Sequence, residues 1–371
     1  MAVIVVTGSE GFLGKNLVAA LKRIPGYTVR ECDITTPHDV FTGYLREADI
    51  VYHLAGINRP PRDSDFTEGN VNFTKVLIDT LSAHNKKIPI VFTSSSQALL
   101  DNPYGKSKKE AEDILLSFAR TTGSPVYIYR LTNVFGKWCK PNYNSVVATF
   151  CHNISRHIDI SISDEKKEME LAYIDDVVAE FTGIIGRTDM ASGNHHVLPR
   201  SFKTTLGGLA KMLFSFRDIR ATLTLPDLAD DFTRYLYSTY LSYLDTTDFS
   251  YPLDTKSDQR GVLAELLKSP HFGQIFISRT HAGITRGNHY HDTKIEKFCV
   301  IEGKAVIRFR HILDKTVISY PVTGNELKIV DIPPGYTHCI ENTGDREMVV
   351  LFWANAIFDK NRPDTYYLEV Q

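Results

Sequence analysis

Two histidines stand one residue apart in G-N-H-Y-H-D-T-K-I-E-K-F, residues 287–298. His289 and His291 are followed by Glu296, and further on by His338 after the turn Pro333-Pro334-Gly335. On a β-strand, residues i and i+2 share a face, so His289 and His291 can reach one ion. Glu296 from the next strand and His338 from a distant one complete a set of three imidazoles and a carboxylate. That donor set suits zinc, and equally iron, manganese or nickel.

A second set opens the chain. In T-G-S-E-G-F-L-G, residues 7–14, the glycines are Gly8, Gly11 and Gly14. Between them, Phe12 and Leu13 contribute backbone N–H groups where a helix begins. A turn without side chains lets those groups approach a pyrophosphate, and a helix N-terminus favours its charge. Asp33 ends the next apolar run. A carboxylate there takes ribose hydroxyls and favours NAD over NADP, although a turn residue at a strand end is the plainer account. Arg30 is placed to meet a 2′-phosphate, or to be a solvated strand residue.

Tyr104 and Lys108 then stand at i and i+4, on one helix face, after the serines Ser94, Ser95 and Ser96. An ammonium beside the phenol is expected to lower its pKa. Such a tyrosine suits proton transfer to an alkoxide as hydride arrives. Lys137, Lys140 and Asn142 lie in a basic loop suited to a diphosphate.

Elements must hold these sets in place. Residues 2–6, 27–32, 50–54, 88–93 and 126–130 read as short buried strands. Helical periodicity appears between them, as over residues 16–23. This alternation predicts an α/β doubly wound parallel sheet, the Rossmann arrangement. After a Tyr- and Asp-rich segment near residues 230–252, the texture changes. Residues 273–279, 297–301, 304–310 and 348–353 read as strands between Gly, Pro and Asn turns, an all-β sandwich or barrel. The boundary is expected near residue 246, giving domains 1–245 and 246–371.

Composition narrows the classes. The 371 residues are 43% hydrophobic, enough for two cores. With 42 basic and 44 acidic side chains the net charge is −2, and no basic run points to nucleic acid. No apolar stretch is long enough for a bilayer, so no membrane partner is expected. The chain starts directly as V-I-V-V without a charged leader, and its five cysteines lack a C-x-x-C pair. Both features lead us to expect a cytoplasmic protein with reduced thiols.

The glycine turn with Tyr104 and Lys108 resembles the extended short-chain dehydrogenase/reductase family acting on nucleotide sugars. The resemblance covers about the first 245 residues. H-L-A-G at 53–56 is similar to the segment beside the cofactor riboses, which implies Leu54, Ala55 and Gly56 as cofactor contacts. R-L-T-N-V-F-G at 130–136 is similar to the substrate-side R-x-x-N-x-x-G, which implies Arg130 and Asn133, with Lys137 beyond them, as substrate contacts. Y-I-D-D-V-V at 173–178 resembles a later signature of the family. The resemblance implies Tyr104 as acid/base, Lys108 as its partner and Ser95 as the hydrogen-bonding serine, with Ser96 its rival. The serine-to-tyrosine connection is short here, a departure from the family.

Residues 250–371 resemble the cupin superfamily in both of its motifs. D-Q-R-G-V-L-A-E-L and T-R-G-N-H-Y-H are similar to its sugar-nucleotide 3,5-epimerase branch. In metal-free members of that branch the histidine matching His289 is the base. A ligand cannot also be the base, so Tyr290, Lys294 and Lys297 remain as candidates.

End to end, the chain resembles bifunctional capsular-polysaccharide enzymes in which the two folds are fused. That resemblance implies C3 epimerisation of a UDP-2-acetamido-2,6-dideoxy-4-hexulose in the cupin. Reduction at C4 by NADPH, with NADH as the alternative, would follow. The expected product is UDP-N-acetyl-6-deoxy-L-talosamine, on the way to UDP-N-acetyl-L-fucosamine for capsule or O-antigen. The family also implies a homodimer or homotetramer.

Overall fold

Strands β1 (Ala2–Thr7), β2 (Tyr27–Cys32), β3 (Ile50–His53), β4 (Ile90–Ser95) and β5 (Val126–Leu131) form a parallel sheet. It is seen in a computed structural model that describes residues 2–187 and 195–371. The order is β2-β1-β3-β4-β5, extended by His195–His196. The middle of β1 and all of β3 and β4 are buried, which explains why they read as unbroken apolar runs. The chain leaves β1 for β2 on one side and returns to β3 on the other. Thr7 and His53 are register partners at this switch point, where a doubly wound sheet opens its ligand crevice.

Two helices serve the site. The helix Phe12–Leu21 starts four residues before the apolar periodicity becomes visible, because Gly11 is its N-cap and glycine carries no apolar signal. The helix Pro103–Thr122 begins with Asn102 accepting from the Gly105 N–H at 2.8 Å and with Pro103 in its first turn. It ends at Gly123, whose φ of 76° is the left-handed cap glycine adopts freely.

The second fold is all antiparallel. One sheet runs Thr255–Asp258, Gly261–Ser269, Gly273–Thr280, Met348–Ala354, Glu296–Glu302 and Ile329–Ile332. The other runs Val317–Thr323, Lys304–His311, Tyr336–Asn342, Thr285–Tyr290 and Tyr366–Tyr367. Alternate residues point inward, as along Met348–Ala354, and Phe298, Ile307, Ile340 and Val350 make the core. The Rossmann sheet and the all-β fold expected from the sequence are both present.

The contacts divide the chain into Met1–Phe214 with Tyr235–Asp245, and Ser215–Arg234 with Thr246–Gln371. Residues 215–234 join the second unit through the barrel strand. Leu225 N–H donates to Lys268 O at 2.8 Å, and Lys268 N–H donates to Leu223 O at 2.7 Å. All five cysteines are free thiols. Among the described residues, no helix is long and apolar enough to cross a membrane.

Candidate active sites

In the first unit the glycine turn folds tightly against the end of β3. Gly8 has φ 66°, and a Cβ there would meet the Ala55 backbone at 2.8 Å. A Cβ on Gly14 would lie 2.1 Å from the Gly8 carbonyl oxygen. The cradle therefore needs glycine at both places, and Phe12 and Leu13 start the helix behind it. Leu54, Ala55 and Gly56 form the facing loop. The Thr7 hydroxyl accepts from Ala55 N–H at 3.2 Å and donates to His53 Nδ1 at 2.9 Å. The other ring nitrogen of His53 donates to Thr74 Oγ1, whose own proton goes to Asn70 O at 2.6 Å. Burial, with Lys108 nearby, lowers the His53 pKa to about 3, so the ring is neutral.

Asp33 sits beside this cradle with both carboxylate oxygens occupied. It accepts from Glu10 N–H and Ile34 N–H, each at 2.8 Å. Arg30 pairs with Glu47 at 2.8 Å and lies over Tyr44, so its charge is already matched.

The proton-transfer set is assembled at the end of β4. Ser95 is buried and acts downward on the pKa of the Tyr104 phenol, whereas Ser96 is exposed. Lys108 is 5% exposed and donates from Nζ to Thr93 O at 3.0 Å. A Cβ on Gly56 would be 2.9 Å from that Nζ, so the ammonium and the loop are packed together. Burial lowers the Lys108 pKa to about 8, against an opposing pull from Glu112. The expectation for Tyr104 needs correcting: its pKa is raised, because burial outweighs the Ser95 hydrogen bond. The Lys108 ammonium faces a carbonyl and does not lower the phenol.

Asn70 was not anticipated. It lies on a π-helical turn, Thr67–Asn72, and bridges the Ile57 backbone to Ser107 Oγ at 2.9 Å. It thereby ties the facing loop to the helix of Tyr104 and Lys108. Glu112 was also missed, although it continues the spacing of Tyr104 and Lys108 by one more helical turn. It is fully buried and accepts from Ser94 at 2.5 Å, from Arg130 through both guanidinium arms and from His195.

The residues read as substrate contacts are differently engaged. The Arg130 guanidinium is committed to Glu112. Lys137 Nζ lies 2.5 Å from Asp175 Oδ1 and over the Trp138 ring. Lys140 lies over Tyr143, and Asn142 N–H donates to Thr149. Asn133 is exposed, its amide 3.5 Å from Glu170 O.

In the second unit, His289, His291, Glu296 and His338 converge, with one donor atom of each within 4.8 Å of the others. His289 pairs in register with His338. His291 lies just past the strand end, and Glu296 opens the next strand. The Nδ1 atoms of His291 and His338 face carbonyl oxygens of Asp364 at 2.6 Å and Tyr336 at 3.3 Å. A carbonyl only accepts, so both Nδ1 atoms carry a proton, and each Nε2 is the ring nitrogen left to face the cluster. Those two Nε2 atoms are buried without a hydrogen-bond partner. They stand 3.3 and 3.6 Å from Glu296 Oε2, close but not aligned as hydrogen bonds.

Burial, then His338 and His291, lowers His289 to about 4. For Glu296, burial works upward but His291 and His338 outweigh it and hold the carboxyl at about 2. Three imidazoles and an ionised carboxylate facing one point fit a divalent transition cation.

The candidate bases are placed elsewhere. Lys294 donates to Pro363 O at 2.8 Å, Lys297 pairs with Asp331, and Tyr290 packs on Tyr366, on the strand face opposite His289.

Residues 4–197 match the model of the NAD dependent epimerase/dehydratase family. Residues 256–366 match the Polysaccharide biosynthesis C-terminal domain. The chain is similar to the UDP-2-acetamido-2,6-beta-L-arabino-hexul-4-ose reductase of Pseudomonas aeruginosa. The two are 43% identical over 371 residues, covering 99% of this chain and 98% of that protein. Its structure is similar to that of the capsular polysaccharide assembling protein CapF from Staphylococcus aureus, with TM-score 0.92, 48% identity and 99% of each chain covered. UDP-Glucuronic acid 4-epimerase from Bacillus cereus, in complex with NAD, matches 57% of this chain and 83% of its own at TM-score 0.51 and 19% identity, a likeness of fold alone.

Proposed function

Since this chain belongs to the NAD dependent epimerase/dehydratase family, and within it to the CapF-like enzymes, we propose that it is a bifunctional nucleotide-sugar enzyme of polysaccharide biosynthesis. Residues 246–371 epimerise C3 of a UDP-2-acetamido-2,6-dideoxy-4-hexulose. Residues 1–245 then reduce its C4 ketone. The product is UDP-N-acetyl-6-deoxy-L-talosamine, a precursor of UDP-N-acetyl-L-fucosamine for capsule or O-antigen. The observation that carries the reading is the Ser95–Tyr104–Lys108 set packed against the loop that faces the glycine cradle.

The bound nicotinamide, NADPH or alternatively NADH, supplies hydride. Tyr104, a phenol at neutral pH, donates its proton to the C4 oxygen as charge builds there. Ser95 donates a hydrogen bond to the same oxygen. Lys108 keeps a positive charge behind the tyrosine and the facing loop. Glu112 neutralises Arg130, and Asn70 holds the loop at its distance from the catalytic helix.

At the second site, loss of the C3 proton places negative charge on the C4 oxygen, and its return on the other face inverts the centre. His289, His291, Glu296 and His338 would hold a zinc-type cation, which supplies Lewis acidity toward such a charge. None of Tyr290, Lys294 and Lys297 is placed as the base by its present contacts. One observation favours a second reading, a structural metal beside a reductase. Four protein donors would be enough for the four positions of a closed structural zinc site.

The test is proton NMR of the 4-keto-6-deoxy UDP-sugar in D2O, with and without NADPH. The proposal expects loss of the C3 proton signal without cofactor, and reduced sugar only with it. Reduction with no C3 exchange would leave the second reading. We further propose a homodimer or homotetramer, which light scattering on the purified protein measures.

A further inference from the structure

The segment that follows the last barrel strand returns to the cluster of three histidines and a glutamate, and one residue in it grips the cluster at two points. Asp364 uses its backbone carbonyl to accept from His291 Nδ1 at 2.6 Å. Its carboxylate accepts from three successive backbone N–H groups, Asp292 at 3.0 Å, Thr293 at 3.0 Å and Lys294 at 2.8 Å. The Thr293 hydroxyl adds a fourth hydrogen bond at 2.8 Å. Residues 292–295 are the turn that joins His291 to Glu296. One side chain therefore fixes the turn that spaces two of the four donors, and the same residue's carbonyl fixes the ring orientation of one of them. Asp364 adopts φ 42°, a left-handed conformation that aspartate tolerates better than most residues. The segment is anchored on both sides of it. Lys294 Nζ donates to Pro363 O, and Tyr366–Tyr367 pairs with His289 and Tyr290.

We propose that Asp364 is a positioning residue of the metal centre. It pre-sets the tautomer of His291 and the His291–Glu296 spacing before any ion arrives. The inference rests on the metal reading given above and adds to it a residue some seventy positions from the turn it organises. Outer-shell partners of this kind change metal affinity by about 10–100-fold when lost. The hydrogen bonds to the 292 and 293 groups are exposed, so water replaces the carboxylate there and the variants are expected to fold.

The experiment uses the full chain, stripped of metal, as wild type, Asp364→Ala and Asp364→Asn. Cobalt(II) is titrated in and its visible ligand-field spectrum recorded, with zinc affinity taken from chelator competition. Circular dichroism melting of the metal-free proteins provides the folding control. Asp364→Ala is expected to bind zinc about 10–100-fold more weakly, with an altered cobalt spectrum. Asp364→Asn keeps one acceptor oxygen and is expected to fall between. Unchanged affinity and spectrum in the folded variants overturn the inference, and if Asp364→Ala does not fold, Asp364→Asn decides by the same criterion. Wild type that binds no cobalt overturns the metal reading itself, a result distinct from an unchanged variant.

Discussion

Tyr104, Lys108 and Asp33 each hold a proton or a charge that sets what the first unit does. Tyr104→Phe removes the proton donor but keeps the ring against Phe66. Reduction is expected to fall by about 10²–10⁴-fold, while C3 exchange of the keto-sugar stays at its wild-type rate. Single-turnover oxidation of NADPH, followed at its absorbance, checks the first part. Lys108 makes a prediction in pH. Its native pKa is lowered from 10.5 to about 8 by burial. Between those values the unfolded chain binds the proton and the native chain does not, so this group makes stability rise with pH across that window. Below about 8 both states are protonated and the contribution is flat. Urea melts of wild type and Lys108→Met at pH 7 and pH 10 should show wild type gaining relative to the variant. Reduction should fall as pH rises through about 8 and the ammonium is lost. If Asp33 faces the ribose as the cofactor reading proposes, it places negative charge where a 2′-phosphate would come, and like charges brought together cost several kcal/mol. Asp33→Ser is expected to raise the NADPH/NADH ratio of kcat/KM roughly tenfold or more. An unchanged ratio would mean that the carboxylate, held by Glu10 and Ile34, does not face the ribose.

The elements were legible wherever their signal is local. A glycine turn between a strand and a helix, a Tyr and a Lys one helical turn apart, and two histidines at strand spacing all follow from short-range geometry. The strands β3, β4 and β5 were readable because they are buried nearly throughout and begin as apolar runs, whereas β2, half-buried along most of its length, was readable from its place in the strand–helix alternation. Partners brought together by folding were not readable. His53, Thr74 and Asn70 are linked only once β3, the π-helical turn and the catalytic helix have docked. Arg130 was read as a substrate contact from its R-x-x-N-x-x-G segment, and its pairing with Glu112 was not legible because it spans eighteen residues and two elements. Asp364 reaches His291 across seventy-three. The Glu112 cluster predicts its own cost. Glu112→Ala would leave Arg130 and His195 without their anion, and breaking a buried pair costs about 3–5 kcal/mol. For Glu112, burial is outweighed by Arg130, Ser94 and His195, so its pKa lies below 4.5 and its stabilisation is lost as pH falls through that lowered value. Denaturant melts at pH 7 and pH 4 should show a smaller gap between wild type and Glu112→Gln at the lower pH.

Over the whole molecule, each unit carries a constellation of its own, and this makes the two proposed activities separable. Of the three imidazoles and the carboxylate of the cluster, His289, Glu296 and His338 come from three strands of the second unit and His291 from just past one of them, and Ser95, Tyr104 and Lys108 come from a strand end and one helix of the first. Stripping the metal should therefore act on one step. With a strong chelator, followed by dialysis, C3 proton exchange in D2O is expected to disappear. Reduction of a substrate already epimerised is expected to continue. Exchange should return on adding zinc. The melting profile tells the two readings of the second unit apart. Emptying the site leaves two buried imidazole nitrogens without a hydrogen-bond partner, so metal-free protein melts earlier in either case. If the metal is only structural, exchange persists in the metal-free protein below its melting temperature, and His291→Gln lowers melting without touching exchange. If the cation stabilises the charge on the C4 oxygen, exchange is lost at temperatures where circular dichroism still reports a folded barrel. Measuring exchange and folding on the same metal-free sample distinguishes a site that holds the barrel together from one that carries the proton chemistry.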